Sequence, residues 1–295
     1  MKDTVAERLR RHSSNFASAE QRVARVLFAT GMIAGLETVA ALGKRANVSG
    51  PTVLRLVGKL GFSRYEDFQS EIRAELEQRR HSPLSLHAAG RTPEDSILAN
   101  SLEVFSQALT HSFTRLSHGD FDRVVDKLSD QKRTLILYGG RVSQLVAQML
   151  YVHLFQMRTG VSVLNSAFQQ KRDQLLDVGP RSVFVVFDFR RYEKETVQLA
   201  QVAKTAGATV VLVTDPWESP IANFADLVLS VDVTSPSAYD SLVSAFALVE
   251  ALYSQVFERL KKSAVPRMAE LERLRDGFEW EPSNEGATNG SAKHK

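Results

Sequence analysis

Residues 42–60, LGKRANVSGPTVLRLVGKL, decide how this chain is to be read. Leu42 and Ala46 stand four apart, on one face of a short helix. Asn47 follows where the chain must reverse, and asparagine tolerates a left-handed backbone better than most residues. Val48 is the apolar plug after the turn. Ser49 is a good N-cap, and Pro51 falls in the first turn of a second helix, where its missing N–H is harmless. Val53, Leu56, Val57 and Leu60 then recur at helical spacing and predict a buried stripe. Small Gly43 stands where the two helices cross.

Subtracting that stripe leaves Ser49, Gly50, Thr52, Arg55 and Lys59 as the expected exposed face. A small polar tip followed by cations suits a helix that enters the major groove of DNA. Arg55 has a fork that fits a guanine edge and is the first choice for base readout, with Thr52 second. Lys44, Arg45, Lys59 and Arg64 are expected to meet phosphates. A plain helical hairpin in an all-α bundle would share the apolar pattern. The whole run A-N-V-S-x-x-T-V-x-R-L-V is what favours DNA.

The 295 residues, 43% hydrophobic and 24% charged, suffice for two domains of ordinary globular composition. The net charge of +3 is unevenly spread: residues 1–80 hold 14 Lys and Arg against 9 Asp and Glu, hence +5, leaving −2 for the remainder. Positive charge lies with the helical hairpin, as attraction to phosphates requires. The lack of cysteine excludes disulfides and thiolate metal sites and fits a reducing cytoplasm. No apolar run approaches the ~20 residues of a membrane span, and no secretory signal opens the chain. A cytoplasmic protein with no membrane partner, cofactor or metal is therefore expected.

In chain order, residues 4–30 read as helix, with Ser18 and Gln21 resembling a capping box. Thr38 is expected to cap the first helix of the motif. Gly61 ends the second, and Phe62, Tyr65 and Phe68 form an aromatic patch of core type before a helix at 65–78. Residues 79–93 have two prolines, a glycine and no sustained period. The chain therefore divides into a helix-turn-helix domain at 1–79, a linker at 80–92, a second domain at 93–265 and a partly disordered tail at 266–295.

The second domain alternates helices and apolar strands. Helices are expected at 94–116, 121–128, 143–157, 194–206 and 240–261, and strands at 134–138, 161–164, 182–187, 209–214 and 227–231. Strands apolar on both faces predict a five-stranded parallel sheet covered on each side, a three-layer αβα sandwich. Ligands bind such sheets at the carboxyl ends of the strands. Three segments lie there: Gly139-Gly140-Arg141-Val142-Ser143, Asp188-Phe189-Arg190-Arg191-Tyr192 and Thr214-Asp215. Each is either a ligand pocket or a tight structural turn. The glycine turn ends at a helix N-terminus, where N–H groups and the Ser143 hydroxyl could hold an anion.

Together these residues resemble the MurR/RpiR transcriptional regulators, in which a helix-turn-helix of RpiR type precedes a sugar-isomerase (SIS) domain. The resemblance runs from about residue 4 to residue 262. It is carried by VSGPTVLRLVGKLGFSRYEDF, by G-G-R-V-S after the first strand, by A-G-A-T-V-V-L-V-T-D and by S-P-I-A-N-F-A-D. It implies a homodimer or homotetramer on double-stranded operator DNA, whose SIS domain senses a small anionic metabolite, a sugar phosphate or another organic acid. Ser143 carries over as a hydroxyl contact. Where SIS domains that hold sugar phosphates have S-x-S-G-x-T-x-E, this chain has D-F-R-R-Y-E-K-E. Arg190 and Arg191 then either bind an anion or pair with Asp188, Glu193 or a neighbouring subunit. Two other functions compete: a ligand-blind DNA binder that uses the SIS domain only to oligomerise, and a sugar-phosphate isomerase. The isomerase would need a positioned base, and His153 and Glu250 both lie within apolar helical runs.

Overall fold

The computed structural model describes residues 3–80, 97–165 and 171–276, so most of the expected linker and the tail beyond residue 276 lie outside the described residues. The expected helix at 4–30 is two helices, α1 (Val5–Arg11) and α2 (Ser18–Ala29), separated by a 3-10 turn at Ser13–Asn15. Thr4 caps α1 in a reciprocal box: its hydroxyl accepts the Glu7 N–H at 3.2 Å, and the Glu7 carboxylate accepts the Thr4 N–H at 2.8 Å. At α2 the cap residue is Ala17, whose N–H goes to the Glu20 carboxylate at 2.8 Å. The expected Ser18–Gln21 box is thus displaced, because an ionised acceptor at Glu20 outcompetes a neutral pair.

α3 (Val39–Arg45) is capped by Thr38, whose hydroxyl accepts the Ala41 N–H at 3.2 Å. Asn47 makes the turn at φ 53°, and α4 (Gly50–Lys59) follows. A side chain on Gly43 would put its Cβ 3.0 Å from the Val48 carbonyl oxygen, which is why the crossing takes glycine. Gly61 (φ 89°) ends α4, and α5 (Tyr65–Arg80) closes the unit. Val53, Leu56, Val57 and Leu60 are buried with Leu27, Leu42, Phe68 and Ile72 in one core. Tyr65 donates its hydroxyl to the carbonyls of Gly35 and Glu37 at 3.1 and 3.0 Å, so the aromatic patch is core.

The second unit opens with α6 (Ile97–Arg115) and α7 (His118–Ser129). β1 (Thr134–Gly139), α8 (Gln144–Met157), β2 (Val161–Val163) and β3 (Ser182–Phe187) follow, then α9 (Lys194–Thr205), β4 (Thr209–Thr214), β5 (Leu227–Ser230) and α10 (Val243–Asp276). The five strands are all parallel, in the order β2-β1-β3-β4-β5. Alternation along each strand splits the core in two. Leu135, Leu137, Val183, Val185, Val211 and Val213 meet α7, α8 and α10, while Ile136, Tyr138, Phe184, Val186, Val210 and Leu212 meet α9. The expected αβα sandwich is present. α10 begins later and ends later than the expected 240–261, running past Pro266 to Asp276. Its late start leaves residues 231–242 as an extended loop over the strand ends.

Candidate functional site

α4 turns Gly50, Pro51, Leu54, Arg55, Gly58 and Lys59 away from the core. Arg55 is exposed, and its guanidinium donates to the Thr52 hydroxyl at 3.0 Å, which lies 3.1 Å from the Ser49 hydroxyl. Thr52 itself is only 5% exposed, so it cannot reach a base edge; it aims Arg55 instead. Its four-residue spacing from Leu56 puts it on the buried stripe. Lys59 is also committed, to the Glu20 carboxylate at 2.7 Å and the Asn15 carbonyl at 3.1 Å. Lys44 is exposed, whereas Arg45 pairs with Glu37 and Arg64 with Asp67. Solvent-exposed pairs of this kind add little to stability, so either arginine can exchange its partner for a phosphate. Two further candidates escaped sequence reasoning. Arg22 on α2 donates to the Asn47 carbonyl at 3.4 Å beside the turn, and Leu54, 49% exposed, offers an apolar contact of the kind that meets a thymine methyl.

At the strand ends a cavity of about 270 Å³ opens between the β1–α8 turn, the β3–α9 loop and residues 238–242. Gly140, Arg141, Ser143, Asp188, Arg190 and Arg191 line it as expected, joined by Glu193, Tyr239 and Asp240. Gly139 and Thr214 do not line it. Thr214 is fully buried and donates to the Asp188 carbonyl at 2.6 Å, while the Gly139 N–H goes to the Gln144 side chain at 2.9 Å. Ser143 is 8% exposed and donates its proton to the Phe187 carbonyl at 2.9 Å. The glycine turn was expected to hold an anion, and the chain supplies its own. The Glu193 carboxylate lies over Gly140, 3.2 Å from where a Cβ would stand, and pairs with Arg141 at 3.1 Å.

The loop after β3 is built around two buried carboxylates. Asp188 accepts from the Ser219 hydroxyl at 2.5 Å and from the Glu193 N–H. Asp215 accepts from the Arg190 N–H at 2.6 Å, the Tyr192 hydroxyl at 2.7 Å and the Trp217 N–H at 2.9 Å. Arg191 adopts φ 77°, a left-handed conformation that favours glycine. The Arg190 guanidinium lies 3.9 Å over the Trp217 ring, with its Nε 3.4 Å from Asp240. The second wall is anchored by the Asp232 N–H, which donates to Ser112 on α6 at 2.9 Å. His153 stacks on Tyr253 at 4.0 Å, and neither it nor Glu250 lines the cavity. Among the described residues no His, Cys, Asp and Glu cluster could hold a metal, and no helix is long and apolar enough to cross a membrane.

Burial, helped by the Asp215 and Glu193 carboxylates nearby, pushes the Asp188 carboxyl up to about 7, and burial pushes Asp215 up to about 6. Both hold a proton more tightly folded than unfolded. Their contribution therefore favours the fold below about pH 4 and is lost as pH rises through roughly 6–7. Asp188→Asn is expected to gain on the wild type by on the order of 2 kcal/mol more at pH 8 than at pH 5, read from denaturant melts. A gap unchanged between the two pH values would mean that Asp188 is ionised in the fold at both.

The helix-turn-helix domain model of the rpiR family matches residues 3–79, and the SIS domain model matches residues 127–255. The chain belongs to the MurR/RpiR family. The transcriptional regulator HexR of Escherichia coli (strain K12) is 25% identical over 255 residues, which span 82% of this chain and 83% of HexR. Two solved structures share the fold. The sugar isomerase domain of an RpiR transcription factor from Sphaerobacter thermophilus superposes with a TM-score of 0.56 at 20% identity, over 61% of this chain and 99% of that one. Vibrio vulnificus NanR, complexed with ManNAc-6P, gives 0.52 at 18% identity, over 92% and 98%. This member is a transcriptional regulator with a helix-turn-helix and a SIS domain.

Proposed function

We propose that the regulator reads operator DNA with α4 and that a small metabolite in the strand-end cavity modulates that reading. The observation that carries this is the loop at residues 215–218, which touches both the β3–α9 loop of the cavity and α1 of the helix-turn-helix unit. On one side Asp215 and Trp217 hold Arg190 and Tyr192 of the β3–α9 loop. On the other, Glu218 pairs with Arg10, whose Nη2 lies 2.8 Å away, and the Pro216 carbonyl accepts from the Thr4 hydroxyl at 3.0 Å. α1 is itself part of the DNA-binding core: the Val5 N–H goes to Glu75 at 2.7 Å, and Arg8 donates to the Leu60 carbonyl at 3.0 Å. A ligand that moves Arg190 shifts the surface against which α1 is seated.

Arg55 is the base-reading residue on this account, with Lys44, Arg45, Arg64 and Arg22 on phosphates. Arg55→Ala is expected to lose about 1–3 kcal/mol on the specific operator and less on random DNA, measured by fluorescence anisotropy at fixed salt. Equal loss on both would reduce Arg55 to a phosphate contact. Self-association suits Leu98 and Leu102 of α6, 77% and 71% exposed, and a twofold pair would present two copies of α4 to two half-sites. The same faces also suit a ligand-blind oligomer. Operator affinity measured across a panel of small metabolites separates the two, because a ligand that prefers one state must shift the equilibrium.

A further inference from the structure

We propose that the cavity takes an uncharged, polyhydroxylated ligand, a free sugar or polyol the size of one ring, and turns its phosphate ester away. This rests on the sensor reading above and narrows it.

Among the described residues, the charged side chains that line the cavity face one another. Arg141 is paired with Glu193 at 3.1 Å and Arg190 with Asp240 at 3.4 Å, while Arg191 also acts on Asp240. Asp188 closes the floor at 2% exposure. Three of the features that could cradle a phosphate are already spent: the Glu193 N–H on Asp188, the Ser143 proton on Phe187, and the space above Gly140 on the Glu193 carboxylate. A phosphate would sit against the Glu193 and Asp240 carboxylates together, and like charges brought together weaken binding by at least about tenfold. A zwitterion would have to break two ion pairs in a half-enclosed site. A hydroxyl breaks none, because it donates to a carboxylate and accepts from a guanidinium at once. Val142, Phe189, Leu242 and the Tyr239 ring at the rim supply apolar surface for the C–H faces of a ring. About 270 Å³ lies just below the roughly 300–1,000 Å³ of ordinary ligand pockets, which suits a single ring.

The test uses the full chain with matched pairs: ribose, glucose, mannitol and inositol against their monophosphates, with inorganic phosphate and amino acids as further probes. Thermal melting and calorimetry should find a free polyol that stabilises the protein, with its ester binding at least about tenfold more weakly and inorganic phosphate without effect. Glu193→Gln frees Arg141 and removes one negative charge, so it should improve inorganic phosphate binding by about tenfold and weaken the polyol. An ester, amino acid or organic acid that outbinds every free polyol on the wild type overturns the ligand class and leaves the sensor reading standing. A wild type unmoved by any compound in the panel sinks both. Should Glu193→Gln fail to fold, the matched pairs on the wild type decide alone.

Discussion

Gly139→Ala is expected to lower the stability of the SIS domain by about 3 kcal/mol, the upper end of the usual penalty for overpacking. A Cβ at this position would stand 2.4 Å from the Ser143 carbonyl carbon and 2.6 Å from the Gln144 nitrogen. Both are backbone atoms of the turn into α8, so no side-chain rotation relieves the clash. The N-terminal end of α8 must move, and with it Ser143, Arg141 and the wall they form. In a thermal melt the loss corresponds to a fall of roughly 6–12 °C for a domain of this size, accompanied by loss of ligand binding. A melting temperature within a degree or two of wild type would show that the turn relaxes and that Gly139 is dispensable.

The second large effect is expected at the other end of the chain. Gly43→Val places a β-branched side chain 3.0 Å from the Val48 carbonyl oxygen, between α3 and α4. The crossing must open, which should destabilise the N-terminal unit by about 2–3 kcal/mol and tilt α4 out of register with the groove. Operator affinity should fall by at least about tenfold, since each 1.4 kcal/mol of lost contact is one decade. Melting of the SIS domain and its ligand binding should be unchanged, and that distinguishes a broken reading head from a misfolded protein. Full-strength operator binding by Gly43→Val would mean that α4 is not the groove-reading element.

The parts of this fold that could be read directly are those in which one residue constrains its own backbone. Asn47 at positive φ, Gly43 at the crossing, Thr38 as a cap and Gly61 after α4 are local matters, and they came out as expected. The parallel sheet was legible for a similar reason, because strands covered on both faces are apolar at every position. What escaped depended on partners distant in sequence. Arg141 and Glu193 are 52 residues apart, and nothing near either one announces that a carboxylate fills the glycine turn. Residues 240–242 of the second wall were read as the start of a helix, since the anchorage of this loop to Ser112 through Asp232 is invisible in the chain. Thr52 is different: its spacing from Leu56 carried the signal, and the polar hydroxyl masked it. Pro266 marks a helix end by local rules, yet α10 passes through it, because Leu260 and Ala264 remain in the core there.

Both ends of the connection at residues 215–218 belong to the same polypeptide. On the proposed function, the route from Arg190 to Arg10 runs within one chain, so an occupied cavity acts on its own α1. On this proposed wiring a twin molecule supplies spacing along the operator. Transcription should then track the fraction of sites filled in simple proportion, without the steep threshold that subunits switching in concert would impose.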